Sequence, residues 1–250
     1  MSTCKTCSQE LIIELDPEDF DEATSSAAGG QPSSVPDDLF LTCGCHFHWQ
    51  CLLDESPKIA TNGACPSCNQ AIASSSGQIL SKYHNEGGIQ ENLDIAALVR
   101  EEAYLDANPS ARPARAFLTM CAEGDVVGIV ELLQAISTDS DEGDISPAEI
   151  LRYQDPLNNM TSGYHIAIAN LQQEVVWALL WLASDIPDDV FPDVVTREAR
   201  ALGGGREMTR GVDIRSLMDS EGNVGADLVV GFWTSSLGME LLKVYQAGGV

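Results

Sequence analysis

Apolar positions recur at helical spacing over residues 116–136, 165–183 and 237–247, with Gly, Pro and Asp clusters between them, so the second half of the chain reads as helical. A further helix is predicted over about 92–107, where Leu93, Ala96, Ala97, Arg100, Ala103, Tyr104 and Ala107 share one face. Asn108 and Pro109 would stop it. Strand alternation is scarce. Residues 16–38 carry no period: an acidic run from Asp16 to Glu22 passes into Ala, Ser and Gly, which predicts an acidic loop insertion. Residues 73–77, Ala-Ser-Ser-Ser-Gly, read as the start of a linker. The pattern divides the chain into 1–76, a connecting segment 77–113 that contains the helix, and 114–250.

A chain of 250 residues with 44% hydrophobic and 20% charged residues has the composition of a folded protein with more than one unit. Thirteen basic against thirty-eight acidic residues give a formal charge of −25, which repels phosphate backbones and anionic lipid surfaces. Nucleic acid and membrane are therefore not expected as partners. The longest apolar run, 175–183, is far below the roughly 18 residues that cross a bilayer. The first residues lack an apolar stretch behind a positive region, so no secretory signal is expected, and the expected location is cytoplasm or nucleus.

Cysteine placement adds chemistry to this outline. Seven of the eight cysteines, at 4, 7, 43, 45, 51, 65 and 68, precede residue 69, and Cys121 stands apart. In a reducing compartment such clustering points to metal ligation rather than disulfides. Cys4-x2-Cys7 and Cys65-Pro66-Ser67-Cys68 flank the run Cys43-Gly44-Cys45-His46-Phe47-His48-Trp49-Gln50-Cys51. A CxxC pair brings two thiolates to one ion and leaves two positions to be filled from elsewhere, so the pairs must combine. The set is enough for two closed tetrahedral zinc sites. A closed site has no open position for water, so the zinc is expected to be structural, and folding of this segment is expected to require it. Neither CxxC sits between a strand and a helix as a thioredoxin motif would.

These residues resemble the RING finger family, over residues 4–68. The resemblance implies a cross-brace: Cys4, Cys7, His48 and Cys51 on the first zinc, and Cys43, Cys45, Cys65 and Cys68 on the second. Most RING fingers have a histidine where Cys45 stands, so the pattern is similar to the RING-CH-like variant. His46 is the competing ligand for that place; Cys45 is preferred because it keeps Phe47 and His48 in the family's spacing. Leu41, Phe47, Trp49 and Leu52 are expected to form the small core. RING fingers present a shallow surface to a ubiquitin-conjugating enzyme and promote transfer of ubiquitin to a substrate without a covalent intermediate. Carried over, that surface would involve Thr6, Ile59, Pro66 and Asn69. Thr6 departs from the usual apolar residue, Ile59 is a small anchor, and Asn69 replaces the commoner Arg.

The second half resembles degenerate ankyrin repeats. One copy comprises Ser162-Gly163-Tyr164-His165-Ile166-Ala167 with Glu174-Val175-Val176-Trp177-Ala178-Leu179-Leu180; an earlier one comprises residues 117–125 with Ile129-Val130-Glu131-Leu132-Leu133. Gly124 is the inter-helix glycine of the earlier copy, and Leu171 stands in its place in the later one. A weaker third copy starts at Asp219, and extra residues including 139–144 lengthen the first repeat. His165 is expected to cap its turn and Cys121 to pack in the core; no catalytic set is apparent. The expected fold is thus a small zinc-stabilised cross-brace domain followed by an all-α ankyrin-like domain. The expected function is that of a RING-type ubiquitin ligase taking a protein substrate through the repeats, with a non-enzymatic scaffold or adaptor as the alternative.

Overall fold

The computed structural model describes residues 2–15, 34–139, 145–193, 196–197, 200 and 206–232. Most of the expected acidic loop and the whole of the expected helix over 237–247 lie outside these residues. The chain forms two compact units, Met1–Ala107 and Asn108–Val250.

The first unit is built on an antiparallel sheet of order β4-β3-β5-β6, comprising β3 (Asp38–Leu41), β4 (His46–Phe47), β5 (Leu80–Asn85) and β6 (Gly88–Asp94). A separate ribbon pairs β1 (Ile12–Glu14) with β2 (Ser34–Pro36). Alternation in β3 buries Leu39 and Leu41 and half-exposes Asp38 and Phe40. Leu39 pairs with Phe47 on one side and Tyr83 on the other. Helices α1 (Trp49–Leu53), α2 (Ser56–Asn62) and α3 (Ala96–Ala107) complete the unit. Its core joins Leu39, Leu41, Phe47, Leu52, Ile59, Ile72, Ile79, Ile95 and Val99 to the thiols of Cys4, Cys45 and Cys65.

Two expectations are corrected here. Residues 80–94, expected as linker and helix start, form the β5–β6 hairpin: Asn85 pairs with Gly88 across the two-residue turn Glu86-Gly87. Asp94 then caps α3, its carboxylate accepting from the Ala96 amide (3.1 Å) and the Ile79 amide (3.0 Å). The helix accordingly starts at Ala96, and its buried face is Ala96, Val99 and Leu105, while Ala97 and Arg100 are exposed. Residues 34–36 and 38, expected within the loop, lie in β2 and β3.

In the second unit, α4 (Arg112–Glu123), α5 (Val126–Asp139), α6 (Pro147–Leu151), α7 (Gly163–Ala169) and α8 (Gln173–Ala183) surround a core that includes Phe117, Ile129, Leu151, Tyr164, Ile168, Val176 and Trp181. The all-α ankyrin-like fold class does not hold, because the fold is mixed α/β. Beyond the sheets of the first unit, β7 (Gln154–Asp155) and β8 (Thr161–Ser162) form an antiparallel hairpin within the second. Asp155 organises this hairpin: its carboxylate accepts from the Leu157 amide, its carbonyl from the Asn158 and Met160 amides, and Arg115 of α4 pairs with it. Of the described residues between α8 and the helix Gly225–Phe232, two stretches are single 3₁₀ turns, Asp188–Val190 and Arg206–Met208.

The helical stretches over 116–136 and 165–183 are each broken once, and in the same way, at the two inter-helix positions. Gly124 (φ 89°) separates α4 from α5, and Leu171 (φ 59°) separates α7 from α8. In both turns the next amide donates back five residues, Asp125 to Met120 (3.0 Å) and Gln172 to Ala167 (2.9 Å). Left-handed backbone costs an L side chain roughly 1–2 kcal/mol, and Leu171 is 59% exposed, so packing returns little of it. Leu171→Gly should therefore stabilise the unit by about 0.5 kcal/mol after the greater freedom of glycine in the unfolded chain is subtracted. Gly124→Ala should cost about 2 kcal/mol, because its Cβ would also fall 2.5 Å from Gln172 Oε1. Urea midpoints moving in opposite directions for the two variants would verify this; equal shifts would refute it.

Candidate metal centre

Two local turns carry the outer cysteines, and they share one geometry. The Cys4 amide donates to the Gln9 carbonyl and the Ser8 amide to the Cys4 carbonyl, both at 2.9 Å. The Cys65 amide donates to the Gln70 carbonyl and the Asn69 amide to the Cys65 carbonyl, again both at 2.9 Å. Ser8 (φ 65°) and Asn69 (φ 60°) close the turns in the left-handed region, where short polar side chains are tolerated best. The middle residues lie on the β3–β4 turn and on α1. Gly44 (φ 88°) turns the chain there, its amide donating to the Leu41 carbonyl (2.9 Å), so that Cys43 and Cys45 flank it.

The eight side chains converge as two groups: Cys4, Cys7, His48 and Cys51, and Cys43, Cys45, Cys65 and Cys68. Within each group all ligand atoms lie within 4.8 Å of one another. The groups interleave along the sequence, since the first takes its members from 4–7 and 48–51 and the second from 43–45 and 65–68. His46 belongs to neither. One step from Cys45 along β4, it turns to the other side, where its Nδ1 meets Asp38 Oδ1 at 2.7 Å and its ring lies 4.7 Å from that of Phe40. Of the two candidates, Cys45 lies within the second group and His46 outside both.

The orientation of His48 tests whether these residues suit a metal. Its Nε2 lies 2.7 Å from the Glu10 carbonyl, an acceptor only, so Nε2 carries the proton. The Nδ1 lone pair then faces the thiols, 3.3 Å from Cys7 Sγ and 3.7 Å from Cys51 Sγ. A ligating histidine that donates its other ring N–H to a carbonyl is the usual second contact of a metal site. The thiols are unequal. At Cys4 burial opposes ionisation, yet the Cys7, His48 and Thr6 amides together outweigh it and lower the thiol to about 6. The Gln70 amide lowers Cys68 to about 7. Burial, reinforced by neighbouring cysteines, pushes Cys43 and Cys51 up to about 12 and raises Cys45. Each group thus sets an easily ionised thiol beside neighbours that resist ionisation, a pattern that a divalent cation overturns by displacing protons. Both four-membered groups could hold a metal ion.

The remaining site candidates divide by exposure. Thr6 and Asn69 are exposed, beside Cys7 and Cys68, and Pro66 is half-buried. Ile59 is a correction: it lies on α2 at 0% exposure, in the core, and offers nothing to a docking surface. The reason is that residues 56–62 form a helix whose apolar side packs on α3, rather than a loop before Cys65. Phe47, Leu41 and Leu52 are buried and Trp49 is half-buried. Cys121 is buried in the second unit, where burial pushes its thiol well up and leaves it unsuited to nucleophilic work. His165 caps α7: its Nδ1 lies 2.7 Å from Ser162 Oγ and its Nε2 3.1 Å from the Asn223 carbonyl.

Asp37 and Tyr83 escaped the sequence reading. Asp37 stood at the end of what read as an unpatterned acidic loop, although the short apolar run Leu39-Phe40-Leu41 just after it suits a buried strand. Its carboxylate accepts from the Trp49 amide (3.1 Å) and the Tyr83 hydroxyl (3.0 Å). Burial, together with Asp37 as acceptor, pushes the Tyr83 phenol up to about 12, which keeps it a donor at neutral pH. The second unit has a feature of its own, an open cleft of about 600 Å³ between α4, the β7–β8 hairpin, α7 and the 219–223 turn. Its apolar wall includes Leu118 and Ile166, and its carboxylates include Glu123, Asp219 and Glu221. Among the described residues no helix is long and apolar enough to cross a membrane. No family model matches the chain, and no curated protein or solved structure does either.

Proposed function

We propose that the first unit holds two structural zinc ions in a RING-type cross-brace and acts as a ubiquitin ligase module, while the second unit takes a protein substrate. The observation that carries this reading is the interleaving of two closed four-ligand groups along one short stretch of chain, with sulfur and imidazole donors that suit zinc. The conjugating enzyme would meet the two equivalent turns, through Thr6 on one and Pro66 and Asn69 on the other. The cleft in the second unit, with its apolar wall and carboxylates, suits a substrate segment that bears Lys or Arg, whose stems and charged heads match those two surfaces.

A second reading, a zinc-braced adaptor without ligase activity, is favoured by one observation. With Ile59 in the core, the proposed docking surface lacks its apolar anchor. Ubiquitin discharge from a panel of loaded conjugating enzymes separates the two. The ligase reading expects stimulation by the zinc-loaded chain, its loss in Cys45→Ala, a several-fold reduction in Pro66→Ala and an increase in Thr6→Ile. A chain that retains two zinc ions yet stimulates none of the panel would leave the adaptor.

A further inference from the structure

Asp37 is 3% exposed, and no other carboxylate in the described first unit is buried. A carboxylate so placed must be held by donors. Both of its donors belong to the neighbourhood of the first metal-ligand group. Trp49 is the first residue of α1, directly after His48 and two before Cys51. His48 gives that helix no side-chain cap, and Asp37, reaching over from the start of β3, takes its first amide instead. The Tyr83 hydroxyl donates to the same oxygen, and the Tyr83 and Trp49 rings lie against each other with centroids 4.7 Å apart, tilted by 42°. Asp38 grips His46 from the other face of the strand. Adjacent carboxylates, Asp37 just before β3 and Asp38 at its start, thus hold residues 49 and 46, on either side of Phe47 and His48.

We infer that Asp37, held by Tyr83 of β5, is a positioning residue for the first metal-ligand group: it fixes the start of α1 and with it the directions of His48 and Cys51. The β5–β6 hairpin is then part of the metal-holding apparatus, although it supplies no ligand. This rests on the zinc reading above. A residue that merely stabilised the unit would weaken both groups alike; a positioning residue weakens only the group it aims.

Cobalt(II) titration of the full chain distinguishes these cases, because a three-sulfur, one-nitrogen site and a four-sulfur site absorb at different visible wavelengths. The wild-type chain should take up two ions, one with each spectrum. In Asp37→Ala the sulfur–nitrogen site should bind roughly 10- to 100-fold more weakly, as loss of outer-shell partners does in metal sites, with the four-sulfur site within about twofold of wild type. Asp37→Asn, which keeps an acceptor for the Trp49 amide, should recover most of the loss, and Tyr83→Phe should show a smaller loss of the same selectivity. Equal weakening of both sites, or an unchanged sulfur–nitrogen site, overturns the inference. If Asp37→Ala does not fold, Tyr83→Phe decides by the same selectivity. A wild-type chain that takes up no cobalt overturns the zinc reading and this inference together.

Discussion

A chelator that strips metal from the chain is expected to unfold residues 2–15 and 43–72 while the helices of the second unit keep their protected amides. The magnitudes support this outcome. A structural zinc ion contributes on the order of 10 kcal/mol at neutral pH, comparable to the whole net stability of a domain. Cys4, Cys45 and Cys65 are core residues of the first unit, so its apolar cluster and its ligand groups are one body. The turns over 4–9 and 65–70 are each closed by a pair of internal backbone bonds and a left-handed residue, with one further bond from the Lys5 amide to the His46 carbonyl, too little to order them alone. Amide exchange with and without chelator would measure it. Unchanged protection over both turns would sink the zinc reading.

Arg115→Ala is expected to destabilise the second unit by about 3–5 kcal/mol, since removing one partner of a buried pair strands the other charge. Asp155, its partner, has a side chain only 5% exposed, and Arg115 itself is at 18%. The carboxylate would keep the Leu157 amide (2.9 Å) but lose its cation, and the hairpin it organises would loosen with it. Asp155→Asn in the same chain should return more than half of the loss, because no stranded charge remains. Denaturant unfolding of both variants gives the comparison. A single-mutant loss below about 1 kcal/mol would show the pair to be screened by solvent.

Ligand chemistry reads directly from residue type and spacing, which is why the candidate ligands were legible, while their division into two groups followed only from the family resemblance: few side chains bind soft ions, and seven cysteines stand before residue 69. What supports them was not. The β5–β6 hairpin carries no strict alternation, for its strands mix Lys82, His84, Gln90 and Glu91 with Leu80, Tyr83 and Leu93, and its identity comes from pairing with β3. Ile59 shows the same limit. Spacing from Cys65 placed it near a family position, but only packing on α3 determined that it turns inward. In the second unit the helices at Gly124 and Leu171 were visible as apolar stripes, whereas the β7–β8 hairpin depends on Arg115, about forty residues earlier in the sequence, and no local pattern encodes that.

The end strand of the four-stranded sheet bears on how copies of this chain behave toward one another. Among the described residues β6 has no partner on its outer side over Gly88–Asp94, and Ile89 is 56% exposed, the kind of border along which identical sheets zip together. Its register shifts opposite Ser81 and Tyr83, and Asn92 (φ 57°) bends it there. The straight portion left for a second chain is a few residues long and carries Glu91, in a protein of formal charge −25. Kinking and like-charge repulsion together disfavour ordered fibre growth from this border, so concentrated solutions should remain dispersed.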